Sequence, residues 1–300
     1  MNLSNLKVAL VTGASSGFGL LAAVELAKQG HVVFATMRSP AKRQALDAAC
    51  RAARVNVEVL PLDVNDTQSI KTCLMAVQRR AGRLDVLVNN AGIAIGGYFE
   101  DQSDAEVREQ FETNVFGLMA MTRAALPLMR EQGGGRIVNV SSIGGRVGTP
   151  GLAPYCATKF AVEGFSESLR HELTGEGIEV TLVEPGTFPT DIFFGNRRTA
   201  VAAARPDGPR RARFISGERA MYDDMQKRNP DPKVVGEAIA RASTRNNPGL
   251  RNPVGVDAHI ATWAMRLMPA RLWHFLVGSQ FNGAPAPALP EGLVALPARR

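Results

Sequence analysis

The sequence predicts a doubly wound α/β fold, one parallel sheet of about seven strands with helices on both faces. Three observations carry that expectation. From residue 6 onward, short runs of Val, Leu and Ile alternate with longer amphipathic stretches, the pattern of strands joined through helices. The first apolar run leads straight into a glycine-rich turn and then a Leu/Ala-rich stretch. Successive apolar runs end in Gly, Asn, Asp or Ser, at the sheet edge where open α/β folds bind ligands.

The strand candidates are Lys7–Val11, His31–Thr36, Val57–Leu62, Leu84–Asn89, Arg136–Val140 and Ile178–Val183, with a weaker one near Val254–Val256. Strands this short and apolar, separated by helices, imply right-handed crossovers. Two regions break the rhythm. Phe188–Pro230 carries Pro, Gly and Arg clusters and reads as a lid insertion (188–230). Asn282–Arg300 is rich in Pro and Ala and reads as a tail (282–300). The expected organisation is a single domain over 1–281, closed by a C-terminal helical segment at 257–281. There Ile260, Trp263, Ala264, Leu267 and Met268 fall at helical spacing. Packing against the core is the first expectation for that stripe, and a pocket wall, a dimer contact or a membrane-surface contact are the others.

Composition sets the outer limits. With 300 residues, 45% hydrophobic and 21% charged, the chain is globular rather than fibrous, collagen-like or disordered. It can bury roughly three quarters of its unfolded surface without disulfides or a structural metal. Cys50, Cys73 and Cys156 are odd in number and far apart, with no metal-ligand spacing, so neither a disulfide framework nor a metal site is expected. The opening MNLSNLKVAL leaves no room for a signal peptide, and no apolar run reaches the length of a membrane span. A cytoplasmic protein is expected. Net charge is +7, yet residues 1–190 hold 18 Lys and Arg against 19 Asp and Glu, and residues 191–300 hold 17 against 9. The densest basic stretch, Arg205–Arg213, reads as a solvated loop; no nucleic-acid motif accompanies it, so no nucleic-acid partner is expected.

The first strand ends in Thr12-Gly13-Ala14-Ser15-Ser16-Gly17-Phe18-Gly19. Glycines let a backbone turn tightly and approach a pyrophosphate, whose charge the free N–H groups and the helix dipole hold. Gly13, Ser15, Ser16, Gly17, Phe18 and Gly19 are therefore candidate dinucleotide-binding residues. Strand two ends at Thr36-Met37-Arg38. An acid here would bind the ribose hydroxyls of NAD, whereas Arg suits the 2′-phosphate of NADP, so NADP(H) is favoured over NAD(H). Asp63 ends the third strand and could accept from an adenine amino group or cap the Thr67–Ala81 helix, a task for which Asn65 or Asp66 is better placed.

Tyr155 and Lys159 stand at i and i+4 of a predicted helix, so their side chains rise from one face. A neighbouring ammonium favours phenolate and is expected to lower the tyrosine pKa. Ser142, after the fifth strand, is placed to hold a substrate oxygen while Tyr155 exchanges a proton with it.

In order along the chain, these residues resemble the classical short-chain dehydrogenase/reductase family. The motifs are TGxxxGxG at Thr12–Gly19, Asp63, NNAG at Asn89–Gly92, Asn114, Ser142, YxxxK at Tyr155–Lys159 and PGxxxT at Pro185–Thr190. The resemblance implies a Rossmann-type fold and NAD(P)-dependent interconversion of alcohols and carbonyls. It adds Asn90 and Gly92 to the cofactor site and puts Pro185, Gly186 and Thr190 at its nicotinamide end. It also implies that Lys159 binds the nicotinamide ribose and that Asn114 holds a water linking Lys159 to a proton relay. The family is often dimeric or tetrameric, and Asp104–Arg130 and Pro154–Leu173 are the candidate faces. The stretches His31–Arg38 and Tyr155–Gly164 look most similar to hydroxysteroid and retinol dehydrogenases, which implies a bulky apolar alcohol or carbonyl substrate. Phe188, Phe193 and Phe194 fall where a lid would cover the nicotinamide, or else pack that lid onto the sheet. Three other readings are weaker: a 3-oxoacyl-thioester reductase, an NADPH-sensing regulatory protein without turnover, and a nucleic-acid or peripheral membrane-surface binder motivated by the basic C-terminal third.

Overall fold

The computed structural model describes residues 6–190, 192, 198–205, 207, 208, 210–269, 271 and 272. Seven parallel strands form one sheet in the order β3-β2-β1-β4-β6-β7-β9. They are β1 (Val8–Val11), β2 (Val32–Met37), β3 (Glu58–Pro61), β4 (Val86–Asn89), β6 (Gly135–Val140), β7 (Ile178–Pro185) and β9 (Arg251–Val254). The seventh strand lies earlier than the expected Val254–Val256, because Gly255 at φ 102° breaks the extended chain and Val256 opens a helix.

The strands are apolar on both sides, and the alternation of side chains splits the core into two layers. Ala9, Val11, Val86 and Val88 face α1 (Gly17–Lys28), α2 (Gln44–Ala53) and α8 (Lys233–Thr244). Val8, Leu10 and Leu87 face α3 (Thr67–Ala81), α5 (Leu118–Glu131) and α6 (Ala153–Glu172). Asp66 caps α3 by accepting from the Gln68 N–H, and Asp63 instead accepts from the Asn65 N–H at 3.0 Å.

Chain order reverses between β1 and β4, whose neighbouring C-terminal ends open the crevice that such sheets use for ligands. The lid region is more ordered than its composition suggests. A two-residue strand β8 (Arg198–Thr199) pairs with β5 (Ile95–Gly96), and α7 spans Arg211–Arg228. Within the basic stretch, Arg210 pairs with Glu100 at 2.9 Å and lies over the Tyr98 ring. The C-terminal stripe departs from core packing. In α9 (Val256–Leu267), Ile260, Trp263 and Leu267 are exposed, whereas Ala258 is buried. Trp273, Phe275 and Leu276, together with the tail, lie outside the described residues. Among the described residues no helix is long and apolar enough to cross a membrane.

Candidate active site

The glycine-rich turn is built to exclude side chains. Gly13 adopts φ 68°, and a Cβ there would come within 2.8 Å of the Ala91 Cα; one on Gly19 would collide with the Gly13 carbonyl and the Asn90 amide. Ser16 sits at the N-cap of α1 without a side-chain cap bond, and the first turn carries no acid. The helix therefore offers its amide groups and dipole to an anion. Asn90 does the tying, donating to the carbonyls of Thr12 and Gly13 at 2.9 and 3.1 Å. Arg38 is exposed just past the end of β2, with Asp63 at the end of β3.

Gly92 lies against the Asn114 side chain. Asn114 occupies a π-helical turn, Glu112–Gly117, between α4 (Asp104–Phe111) and α5. Such turns are frequently found at functional sites. Its amide is fully engaged: Nδ2 donates to the Ile93 carbonyl and the Thr158 hydroxyl, and Oδ1 accepts from the Ile93 N–H. Asn114 thus clamps the loop after β4 onto α6.

α6 brings Tyr155 and Lys159 to the end of β6. A buried amide–hydroxyl chain from Asn89 through Asn139 to Ser166 fixes that helix against the sheet. Lys159 is buried, and its Nζ donates to the Val140 carbonyl at 2.9 Å while lying 5.8 Å from the Tyr155 ring centre. Desolvation pulls the lysine down to about 8 against the opposing pull of the Glu163 charge. The tyrosine moves opposite to the sequence expectation. Burial pushes its phenol up to about 12, outweighing its hydrogen bond with Ser142. Ser142 also accepts from the Gly144 N–H at 3.1 Å.

Gly186 and Thr187 form the other wall. The Asp257 carboxylate presses on Gly186, leaves no space for a Cβ there, and accepts from the Thr187 N–H at 2.7 Å. Thr190 lies beside Gly17, and its Oγ1 is buried without a hydrogen-bond partner among the described residues. An orphaned hydroxyl facing a glycine-lined turn fits a dinucleotide, whose nicotinamide end would supply the missing partner. Phe188 is buried in the core, edge to face with Phe18 at 5.9 Å. Phe193 and Phe194 lie outside the described residues.

Beside Tyr155, whose small apolar cluster includes Ala94, Leu152 and Ile192, opens a cleft of about 630 Å³, solvent at its mouth included. Its far wall is Phe214, Met221 and Tyr222 of α7, with Arg198 and Glu218 as charged groups. Arg198 is held by a bidentate pair with Glu109. Sequence reasoning missed α7, Arg198 and Asp257, because none belongs to a short motif and their approach depends on tertiary packing.

The sequence profile of the short chain dehydrogenase family matches residues 7–200. The chain belongs to this family. Among its relatives, an uncharacterised oxidoreductase of Bacillus subtilis, YusZ, is 40% identical, with 91% of this chain and 98% of that protein covered. A 3-ketodihydrosphingosine reductase of Bacteroides thetaiotaomicron is 37% identical over 83% and 88% of the two chains. Human retinol dehydrogenase 8 is 35% identical over 83% and 82%. Among solved structures, a short-chain dehydrogenase of Streptomyces avermitilis superposes with a TM-score of 0.74 at 37% identity, covering 92% and 98%. An actinorhodin polyketide ketoreductase with NADPH gives 0.71 at 34%, covering 85% and 97%. This short-chain dehydrogenase is an oxidoreductase of a family that uses NAD(P). The tight turn at Gly13–Gly19 and the buried Tyr155–Lys159 pair are the parts of its site most closely fixed by packing.

Proposed function

We propose that the protein is an NADP(H)-dependent oxidoreductase that interconverts a secondary alcohol and a ketone, or an alcohol and an aldehyde, on a bulky apolar substrate. The observation that carries this reading is the group of Ser142, Tyr155 and Lys159 beside a largely apolar cleft, joined to it through Ala94, Leu152 and Ile192, which pack on Tyr155 and line the cleft. A nicotinamide dinucleotide supplies or accepts the hydride. Ser142 hydrogen-bonds the substrate oxygen, and Tyr155 donates its proton to a carbonyl or takes one from an alcohol. Burial holds the phenol protonated at neutral pH, the state from which it donates. Lys159, anchored on Val140, sets the local potential and orients the ribose, and Asn114 keeps α6 in register with the loop after β4.

Arg38, with Lys42 and Arg43 close behind in sequence, supports NADP(H), as does the NADPH carried by the actinorhodin ketoreductase. The relatives named for 3-ketodihydrosphingosine and retinol support a long apolar substrate; the ketoreductase relationship favours a 3-oxoacyl thioester as the second reading. A homodimer or homotetramer is proposed through α5 and α6, where Phe116 of the adjoining π turn and Phe160 are exposed. Three buried, free cysteines fit a reducing compartment and hence the cytoplasm. The test is NADPH consumption against steroid ketones, retinal, a long-chain keto-amine and a β-keto thioester, with NADH in parallel. Turnover of the bulky apolar carbonyls with NADPH supports the proposal, thioester turnover alone selects the second reading, and NADPH binding without turnover of any member overturns the proposed substrate class.

A further inference from the structure

Helix α9 leaves a continuous apolar stripe in solvent. Val256, Ile260, Trp263 and Leu267 are 74, 63, 62 and 75% exposed, and their spacing of four, three and four residues aligns them on one side. Isolated exposed apolar residues are ordinary, whereas four aligned on three turns mark an interaction surface.

Its charge identifies the partner. Arg266 is exposed on the flank of the stripe, next to Leu267, and Arg271 is exposed just beyond the helix. The one acid of α9, Asp257, is turned inward to the Thr187 N–H and to Arg228 Nη1 at 3.3 Å. The outward face therefore combines aliphatic and indole groups with positive charge and no negative charge of its own. A second copy docked face to face would set the outward Arg266 of each against a face with no acid. The chain beyond residue 272 carries Glu291, Arg299 and Arg300, a net of +1, so it offers the outward cations of the helix no excess of acid. An anionic lipid surface supplies both what the stripe lacks, an apolar layer, and what the cations lack, acidic headgroups. Both tryptophans of the chain, Trp263 and Trp273, lie in this segment, and indole favours the lipid–water boundary.

We propose that α9 is an interfacial helix that docks the protein peripherally on anionic lipid. Asp257 links the first turn of α9 to the loop at Thr187 and to the last residue of α7, the helix that walls the cleft. Docking by α9 therefore sets the cleft beside the lipid from which an apolar substrate would enter.

The test uses the full chain with vesicles of phosphatidylcholine alone or mixed with phosphatidylglycerol. Co-sedimentation with the mixed vesicles, a blue-shifted tryptophan emission and its quenching by brominated acyl chains are the expected result, weakening as salt is raised. Replacing Ile260→Glu and Trp263→Glu together should reduce vesicle binding about tenfold or more, with the thermal melt and the turnover of a small water-soluble carbonyl unchanged. Arg266→Glu should remove the preference for phosphatidylglycerol. The proposal is overturned by absence of binding to the mixed vesicles or by binding that the double substitution leaves intact. It also fails if self-association, lost in the double variant, is the sole property of this face. Because the readout is partition onto lipid, it stands or falls separately from the choice of substrate.

Discussion

Two parts of this molecule meet at Tyr155 and are held by different forces. On the sheet side, the polar groups are buried or half-buried and bonded to main chain or to one another, as with Asn90 on Thr12 and Gly13, Asn114 on Ile93, and Lys159 on Val140. On the cleft side, the contacts are guanidinium–carboxylate pairs near the surface: Arg198 with Glu109, Arg210 with Glu100, and Arg228 with Asp224 and Asp257. A buried polar group left unpaired costs about 1–3 kcal/mol, so the first set has one arrangement. Exposed ion pairs contribute about 0–1 kcal/mol each, so the second set can shift with the ligand. The contrast separates reaction from selection: the sheet edge fixes hydride and proton geometry, and the α7 wall adapts to the substrate.

The sharpest test of the rigid side is Tyr155→Phe. The ring still fills its buried place, and only the hydroxyl bonded to Ser142 is lost. Turnover should fall by about 10²–10⁴-fold or more, while cofactor affinity, read by fluorescence titration, stays within a few fold. Substantial residual turnover would move the proton transfer elsewhere. Next in size is Arg38→Ala. A charge-assisted bond to the 2′-phosphate is worth about 1.5–3 kcal/mol, so NADPH binding should weaken about 10- to 100-fold, with NADH little changed. Equal losses for both cofactors would show that Arg38 does not read the phosphate.

The same division explains what could be read from the sequence. Gly13, Gly19, Ser142, Tyr155 and Lys159 could be singled out because each stands close to its own strand end, where a turn, a helix start or an i,i+4 spacing dictates the neighbour, whereas Asn90 entered only through the family resemblance. The sheet was legible because its strands are apolar on both faces, which periodicity reports directly. The π turn at Asn114 was not, since a single extra residue in a helical ladder leaves no mark on hydrophobic spacing. Nor was the shift of the Tyr155 phenol, because i,i+4 spacing places the ammonium but does not report the burial whose desolvation raises the phenol. Asp257 lies 70 residues from Thr187 and carries no motif. Lid composition, rich in Pro, Gly and Arg, hid an 18-residue helix whose docking depends on Phe214 and Met225 becoming buried.

A pair of acids behind the catalytic lysine tests how far rigidity extends. Glu163 and Glu184 are buried and close enough to raise each other's energy, with Arg146 on Glu184 at 3.1 Å and Arg251 on Glu163 at 3.0 Å. Desolvation, joined by the Glu163 charge, pushes the Glu184 carboxyl well above the usual carboxylate range. The folded state thus holds this proton more tightly than the unfolded chain. The stability it contributes is complete below the ordinary carboxylate pKa and is lost as pH rises toward neutral. The loss should be on the order of a few kcal/mol. Denaturant unfolding of wild type and Glu184→Gln from acid to neutral pH should show that decline in wild type and a flatter profile in the variant. Parallel profiles would mean that the pair does not titrate in this range.

The smallest effect belongs on the adaptable side. Arg198 lines the cleft, and its bidentate pair with Glu109 is nearly half exposed, so its loss removes a contact worth less than about 1 kcal/mol. Arg198→Ala should leave the melting temperature within a few degrees and the KM for NADPH unchanged, because neither the glycine turn nor Asn90 touches it. The KM for a bulky carbonyl should rise by roughly threefold, with kcat nearly constant, since a contact made equally in ground and transition states alters binding alone. A large fall in kcat instead would show that the α7 wall transmits geometry to Tyr155, and would erase the division between a fixed reaction centre and a yielding pocket.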